Sequence, residues 1–122
     1  MGQVKALFDT NILIDYLSGV AAADVEIRRY RDRSISVITW MEVLAGVRGS
    51  DEADVVELFL HDFHLVDVTR SIAREAVAIR QSTRIRLPDA IILASARVET
   101  ALLVTRNSKD FPRDDPAIRV PY

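Results

Sequence analysis

The chain has no cysteine among its 122 residues. Disulfides, thiolate nucleophiles and cysteine-ligated zinc or iron–sulfur centres are therefore excluded. The absence suits a reducing, cytoplasmic setting. Lysine is scarce: Lys5 and Lys109 are the only lysines among 16 basic residues, and arginine carries the rest of the positive charge. Guanidinium forks suit phosphate and carboxylate partners. The net charge is −2, so bulk charge does not draw the chain to nucleic acid. His61 and His64 are the only histidines, and no serine or acid pattern around them suggests a catalytic triad; both read as structural. No apolar run is long enough to cross a membrane. Asp9 and Asp15 interrupt the N-terminal apolar segment that a secretion signal requires. With no repeat, low-complexity tract or linker, residues 1–122 are expected to form one domain.

What is present is a hydrophobic content of 49% arranged in alternating strand and helix patterns. Val4 to Phe8 is a short apolar run suited to a buried strand. Asp9 ends it, Thr10 and Asn11 can start a helix, and Ile12, Leu13, Tyr16 and Leu17 recur at helical spacing. Ser18-Gly19 is a stop signal. Ala21 to Arg31 predicts a second helix, and Ser34 to Val37 a β-branched second strand. Thr39 and Glu42 fit a capping box, which would put Glu42 in the first turn of a helix carrying Trp40, Val43, Leu44 and Val47. Trp40 sits on that apolar stripe and reads as core or interface. Asp51 to Leu60 is a further helix with a solvated acidic face. His64 to Val68 predicts a third strand and Ser71 to Thr83 an amphipathic helix. Leu87-Pro88-Asp89 opens a helix, with proline at its first position and Asp89 in its first turn. From Ala90 to Ala96 that helix is apolar nearly all round and is expected to be central. Ala101 to Thr105 predicts a buried strand, Arg106 to Asp115 a polar loop, and Ile118 to Val120 an edge strand. The alternation predicts an α/β fold with a short parallel sheet of about four to five strands and helices on both faces.

Asp9, Glu42, Asp89 and Asp110 all fall at the ends of elements, where a parallel sheet gathers its ligands. Grouped carboxylates repel one another and raise one another's pKa. A divalent cation removes that cost, and an oxygen-only donor set selects Mg²⁺ or Mn²⁺. Such ions bind substrate phosphates, which points to metal-assisted phosphodiester hydrolysis. The plainer reading is that Asp9 and Glu42 cap helices and Asp89 favours a helix dipole. Arg80, Arg84 and Arg86 precede Asp89 and are either phosphate contacts or ordinary helix-end cations.

Four segments carry a resemblance: Phe8-Asp9-Thr10-Asn11, Trp40 to Gly46 with Glu42, Leu87-Pro88-Asp89-Ala90-Ile91-Ile92, and Val104-Thr105-Arg106-Asn107 with Asp110-Phe111. In this order the set resembles the PIN-domain ribonucleases, most of all the VapC-type toxins of toxin–antitoxin pairs. The resemblance implies a Mg²⁺ or Mn²⁺ site, an RNA substrate, an inhibiting antitoxin partner and a homodimer. It makes Asp9, Glu42 and Asp89 the firmest acids, with Asp9 and Asp89 nearest the metal. The family's fourth acid often falls where this chain has Asn107; Asp110 can take that role, or three acids and an amide can serve. Thr10, Asn11, Thr105 and Asn107 become supporting groups, and Arg80, Arg84 and Arg86 stay open between RNA contacts and helix-end cations. Two other classes fit less well. A receiver-like aspartyl-phosphate domain needs further acids or a late lysine, where this chain has Asn11 and only Lys109. A non-catalytic partner-binding domain would use the acids as helix caps.

Overall fold

The computed structural model describes residues 4–112 and 114–122. In chain order the elements are β1 (Lys5–Phe8), α1 (Thr10–Leu17), α2 (Ala21–Arg28), β2 (Asp32–Ser36), α3 (Val37–Ala45), α4 (Ser50–Leu60), β3 (His64–Val66), α5 (Arg70–Ser82), α6 (Leu87–Val98), β4 (Leu102–Val104) and β5 (Ile118–Arg119). The strands form a five-stranded, all-parallel sheet in the order β3-β2-β1-β4-β5. This is the α/β class that the alternation of strands and helices predicts.

β1 lies at the centre, and Ala6, Leu7 and Phe8 are fully buried. Side chains alternate between the faces of a strand. Ala6 and Phe8 pack with Ile12 and Leu13 of α1, Ile27 of α2, and Val56 and Leu60 of α4. Leu7 packs on the other face with Ile72 and Ile79 of α5 and Ile92 and Leu93 of α6. Phe8 meets Tyr30 and Phe63 edge-on, with ring centroids 5.9 and 5.8 Å apart, geometry that favours the ring quadrupoles. The apolar helix α6 is central, with Ala90, Ile92, Leu93, Ala94, Ser95 and Ala96 all buried.

Several boundaries differ from the sequence reading. Thr39 does not cap α3. Ser36 ends β2 and accepts the Ile38 N–H at 3.1 Å, so the helix starts at Val37. A serine directly after a strand is the better cap. Thr39 is then inside the helix and fully buried, and Glu42 lies in the second turn, not the first. α2 stops at Arg28, which frees Asp32 and Arg33 to pair with Lys5 and Ala6. Pro88 occupies the second position of α6, after the cap Arg86 and Leu87.

The strand order places the functional end. From β1 the chain steps outward through β2 to β3, then returns through α5 and α6 to add β4 on the other side of β1. Ligands of open α/β sheets bind at such a reversal, beyond the carboxyl ends of the strands. Phe8 pairs with Val104 there, and the next residues are Asp9 and Thr105. The loop after β4 returns to the core at Phe111, which is fully buried. Phe111→Ala should destabilise the fold by about 3–5 kcal/mol, the usual cost of deleting a buried aromatic. Urea unfolding of the variant beside the wild type measures this.

Candidate active site

Asp9 follows directly from β1 and is only 3% exposed. It caps α1, with Oδ1 accepting the Thr10 N–H at 2.7 Å. The positive end of the α1 dipole thus faces the carboxylate. Oδ2 accepts the Thr105 hydroxyl at 2.7 Å and the Asn11 amide at 3.3 Å. Thr105 is itself fully buried and accepts the Asn107 backbone N–H at 2.9 Å. A cross-strand hydrogen bond, Asp9 N–H to Val104 C=O at 2.9 Å, fixes the backbone beneath. Burial raises the Asp9 pKa, and the Glu42 charge adds to the rise; the bonds from Thr105, Thr10 and Asn11 oppose it.

Glu42 reaches the same end of the sheet from α3. Its Oε1 accepts the Thr10 hydroxyl at 2.7 Å. Thr10 Oγ1 also shares a 3.0 Å hydrogen bond with Thr39 Oγ1. A carboxylate only accepts, so the Thr10 proton goes to Glu42 and Thr39 supplies the proton of the other bond. Thr39, read from the sequence as a cap, is thus part of the support under Glu42. The capping pattern that Thr39 makes with Glu42 concealed this.

Asp89 lies in the first turn of α6, half-buried. Its pKa is raised to about 6. Desolvation is the largest cause, followed by the charges of Asp9, Asp110 and Glu42, with Arg86 opposing. Asp89 thus lies within electrostatic reach of the other three acids. Asp110 is exposed on the loop after β4 and tied to Asn107 both ways. The Asn107 amide donates to Asp110 Oδ2 at 3.0 Å, and the Asp110 N–H donates to Asn107 Oδ1 at 3.2 Å. Asn107 and Asp110 therefore form one arm instead of two competing positions.

A second network braces that arm and has no motif in the sequence. Arg106 makes a two-pronged ion pair with Asp15 of α1, at 2.7 and 3.3 Å. The Tyr122 hydroxyl donates to the same carboxylate at 2.9 Å. The Arg106 N–H donates to Asn11 Oδ1 at 3.1 Å. Partners 91 and 107 residues apart along the chain leave no local spacing to detect.

The tentative RNA contacts divide. Arg86 caps α6 beside Asp89. Arg84 lines a cleft with Asp110. Arg80 is exposed on α5 and has no hydrogen bond or ion pair to the acids among the described residues. His61 lines a separate pocket with Trp40 and Phe63, away from the acids. A cavity of about 560 Å³ opens beside Val4, Leu102, Tyr30 and Arg119, where none of the four acids reaches.

The donor set is suited to a hard cation: every candidate ligand offers oxygen. Among the described residues, no group of three acids or histidines closes around a single ion.

Comparison with known proteins gives a consistent result. The PIN domain family model matches residues 6–115. Ribonuclease VapC10 of Mycobacterium tuberculosis is 35% identical, covering 87% of this chain and 85% of the relative. Ribonuclease VapC19 of the same organism is also 35% identical, covering 95% and 98%. A toxin–antitoxin complex from Klebsiella pneumoniae contains a chain of the same fold. It has a TM-score of 0.91 and 41% identity, and the match covers 97% of this chain and 98% of that one. DNA-bound VapBC from Salmonella typhimurium, at 24% identity and a TM-score of 0.80, shares the fold. With the family model spanning nearly the whole chain and the acids gathered at the β1–β4 reversal, the chain belongs to the PIN domain family, among its VapC-type ribonucleases.

Proposed function

We propose that this chain is a Mg²⁺- or Mn²⁺-dependent endoribonuclease that hydrolyses RNA phosphodiester bonds at Asp9, Glu42, Asp89 and Asp110, as the toxin of a type II toxin–antitoxin pair. The observation that supports the site assignment is the hydrogen-bonded end of β1 and β4: buried Asp9 is held by Thr10 and Thr105, Glu42 is tied to the same Thr10, and Asp110 is tied through Asn107 to Thr105. The ribonuclease class rests on the VapC relatives. The divalent-metal requirement is supported by the oxygen-only acids of the site. A bound cation supplies Lewis acidity to the scissile phosphate and activates water as the nucleophile.

The chain's own residues do the rest. Asp9 and Asp89 would hold the cation, Asp9 in an orientation that Thr105, Thr10 and Asn11 already fix. Holding a ligand in place beforehand removes its reorganisation cost on binding. Glu42, steadied by Thr10 and itself exposed, faces substrate and solvent and orients water. Asp110, held by Asn107, completes the negative field on the open side. Arg84 and Arg86 meet the backbone phosphates of the RNA, which the acids alone would repel.

The proposed partner is an antitoxin, and the 41%-identical structure is of a toxin–antitoxin complex. A groove of about 500 Å³, lined by Ile14, Leu17, Val43, Val47 and Val55, opens beside Glu42. An antitoxin with an apolar face seated there would stand over the acids. We also propose a homodimer and a cytoplasmic location. No helix among the described residues is long and apolar enough to cross a membrane.

Chelation tests the metal requirement. Cleavage of RNA by the purified protein should stop in EDTA and return with added Mn²⁺ or Mg²⁺. Asp9→Asn should abolish it while keeping the fold, and Asp110→Asn should slow it by less. Undiminished cleavage in excess chelator would contradict the mechanism.

The raised pKa of Asp89 predicts an unusual pH response of the metal-free protein. The folded state holds the Asp89 proton up to about pH 6, whereas an unfolded aspartate releases it near its ordinary value of about 3.9. The folded state therefore binds more protons in that window, and lowering the pH through it favours folding. Asp89→Asn should raise the melting temperature in EDTA at pH 7.5, and the gain should shrink at pH 5. A gain of equal size at both pH values would show that Asp89 does not titrate there.

A further inference from the structure

A cleft of about 280 Å³ lies against the acid cluster, lined by Thr83, Arg84, Ile85, Lys109, Asp110 and Pro112. Two segments form its walls: the linker between α5 and α6, and the loop after β4. Both are held from beneath. Ile85 and Phe111 are buried. The Thr83 hydroxyl donates to the Ile79 carbonyl at 2.7 Å and accepts the Ile85 N–H at 3.2 Å. The Asn107–Asp110 pair fixes the loop that carries Lys109.

The charges on this cleft are uncommitted. Lys5, Arg28, Arg29, Arg97, Arg106 and Arg119 each pair with a carboxylate within 4 Å, and Arg31, Arg33, Arg48, Arg70, Arg74, Arg80 and Arg86 form no such pair among the described residues; what sets Lys109 and Arg84 apart is that they line one cleft together. Among the described residues Lys109 and Arg84 have no such ion pair, although Asp110 lines the same cleft. Lys109 is one of only two lysines in the chain. Two free cations thus project from supported backbone at the border of a site whose own charge is negative.

We propose that Lys109 and Arg84 form a subsite for an RNA backbone phosphate adjacent to the scissile one. This rests on the ribonuclease reading above. A phosphodiester strand repeats its charge at every nucleotide, so a strand with one phosphate at the acids must place the next nearby. The acids repel that phosphate, and the cleft is where the repulsion changes sign. Because Lys109 and Asp110 are neighbours on one loop, the subsite fixes the strand's register relative to the acids. It carries no base discrimination, since phosphate contacts position a strand and do not read it.

The test uses a fluorescein-labelled, mixed-sequence, single-stranded RNA of 12 nucleotides, a probe length on the order of the binding-site sizes seen for single strands. Binding is followed by anisotropy in EDTA, where turnover stops, across roughly 50–200 mM salt. Each phosphate contact contributes about 0.7 to the slope of log affinity against log salt for a single strand. The Lys109→Ala, Arg84→Ala double variant, which loses that one phosphate, should lower that slope by about 0.7. Lys109→Gln should lower it by about half as much, and Arg28→Ala, far from the cleft on α2, should leave it unchanged. With Mn²⁺ present, the double variant should lose kcat/KM mainly through KM. If wild type cleaves the probe and the double variant keeps the wild-type slope, the subsite is overturned while the ribonuclease reading stands. If wild type neither binds nor cleaves RNA, both are overturned.

Discussion

Repulsion among four carboxylates governs the end of the sheet that carries the chemistry. Asp9 is buried, and the pKa of Asp89 is raised to about 6 by desolvation first and by the charges of Asp9, Asp110 and Glu42 in addition. Such a grouping works against folding, and the surrounding structure is arranged to keep it. Asp9 accepts three hydrogen bonds, and each favours the ionised form that burial disfavours. Two of them come from the turn and helix that follow β1, and one comes across the sheet from the end of β4. The carboxylate therefore cannot swing away from the others to relieve the strain. A divalent cation bound at the proposed site would turn this liability into binding energy, and an oxygen-only donor set suits Mg²⁺ or Mn²⁺.

The fold supplies the place. Because β4 returns to the far side of β1, the ends of these two strands lie side by side, and Asp9 and Thr105 meet although 96 residues separate them. α3 brings Glu42 from one direction, and α6 brings Asp89 from another. The loop after β4 brings Asp110, anchored by Phe111 and braced by Arg106 on Asp15. Surface ion pairs usually contribute little, but a two-pronged arginine pair in a network with a tyrosine hydroxyl is the geometry that matters most. The same loop carries Lys109, so Asp110 and the cleft beside it share one backbone segment.

The legible parts of the sequence were those with a local signal. The apolar runs at Val4–Phe8 and Ala101–Thr105 mark β1 and β4, because strands buried on both faces read as unbroken apolar segments. The all-round apolar character of Ala90–Ala96 marks the central helix α6. Asp9 and Asp89 stand out because an acid directly after a buried strand, or just after a helix-starting proline, breaks the apolar pattern. The start of α3 was less legible. Ser36 and Thr39 are both plausible caps, and only the point where β2 ends decides between them. Arg106, Asp15 and Tyr122 carried no signal at all, since their contact depends on tertiary packing between distant segments. Asn107 and Asp110 looked like alternatives in one dimension and are hydrogen-bonded partners in three.

Binding of a divalent cation by the acids as one unit is the central proposition about this site. Isothermal calorimetry of Mn²⁺ into the metal-free protein at pH 7.5 measures this directly, without any RNA. The account predicts saturable binding in the wild type, loss of that binding in Asp9→Asn, and marked weakening in Asp89→Asn. Binding of equal affinity in all three proteins would contradict it, as would a wild type that takes up no Mn²⁺.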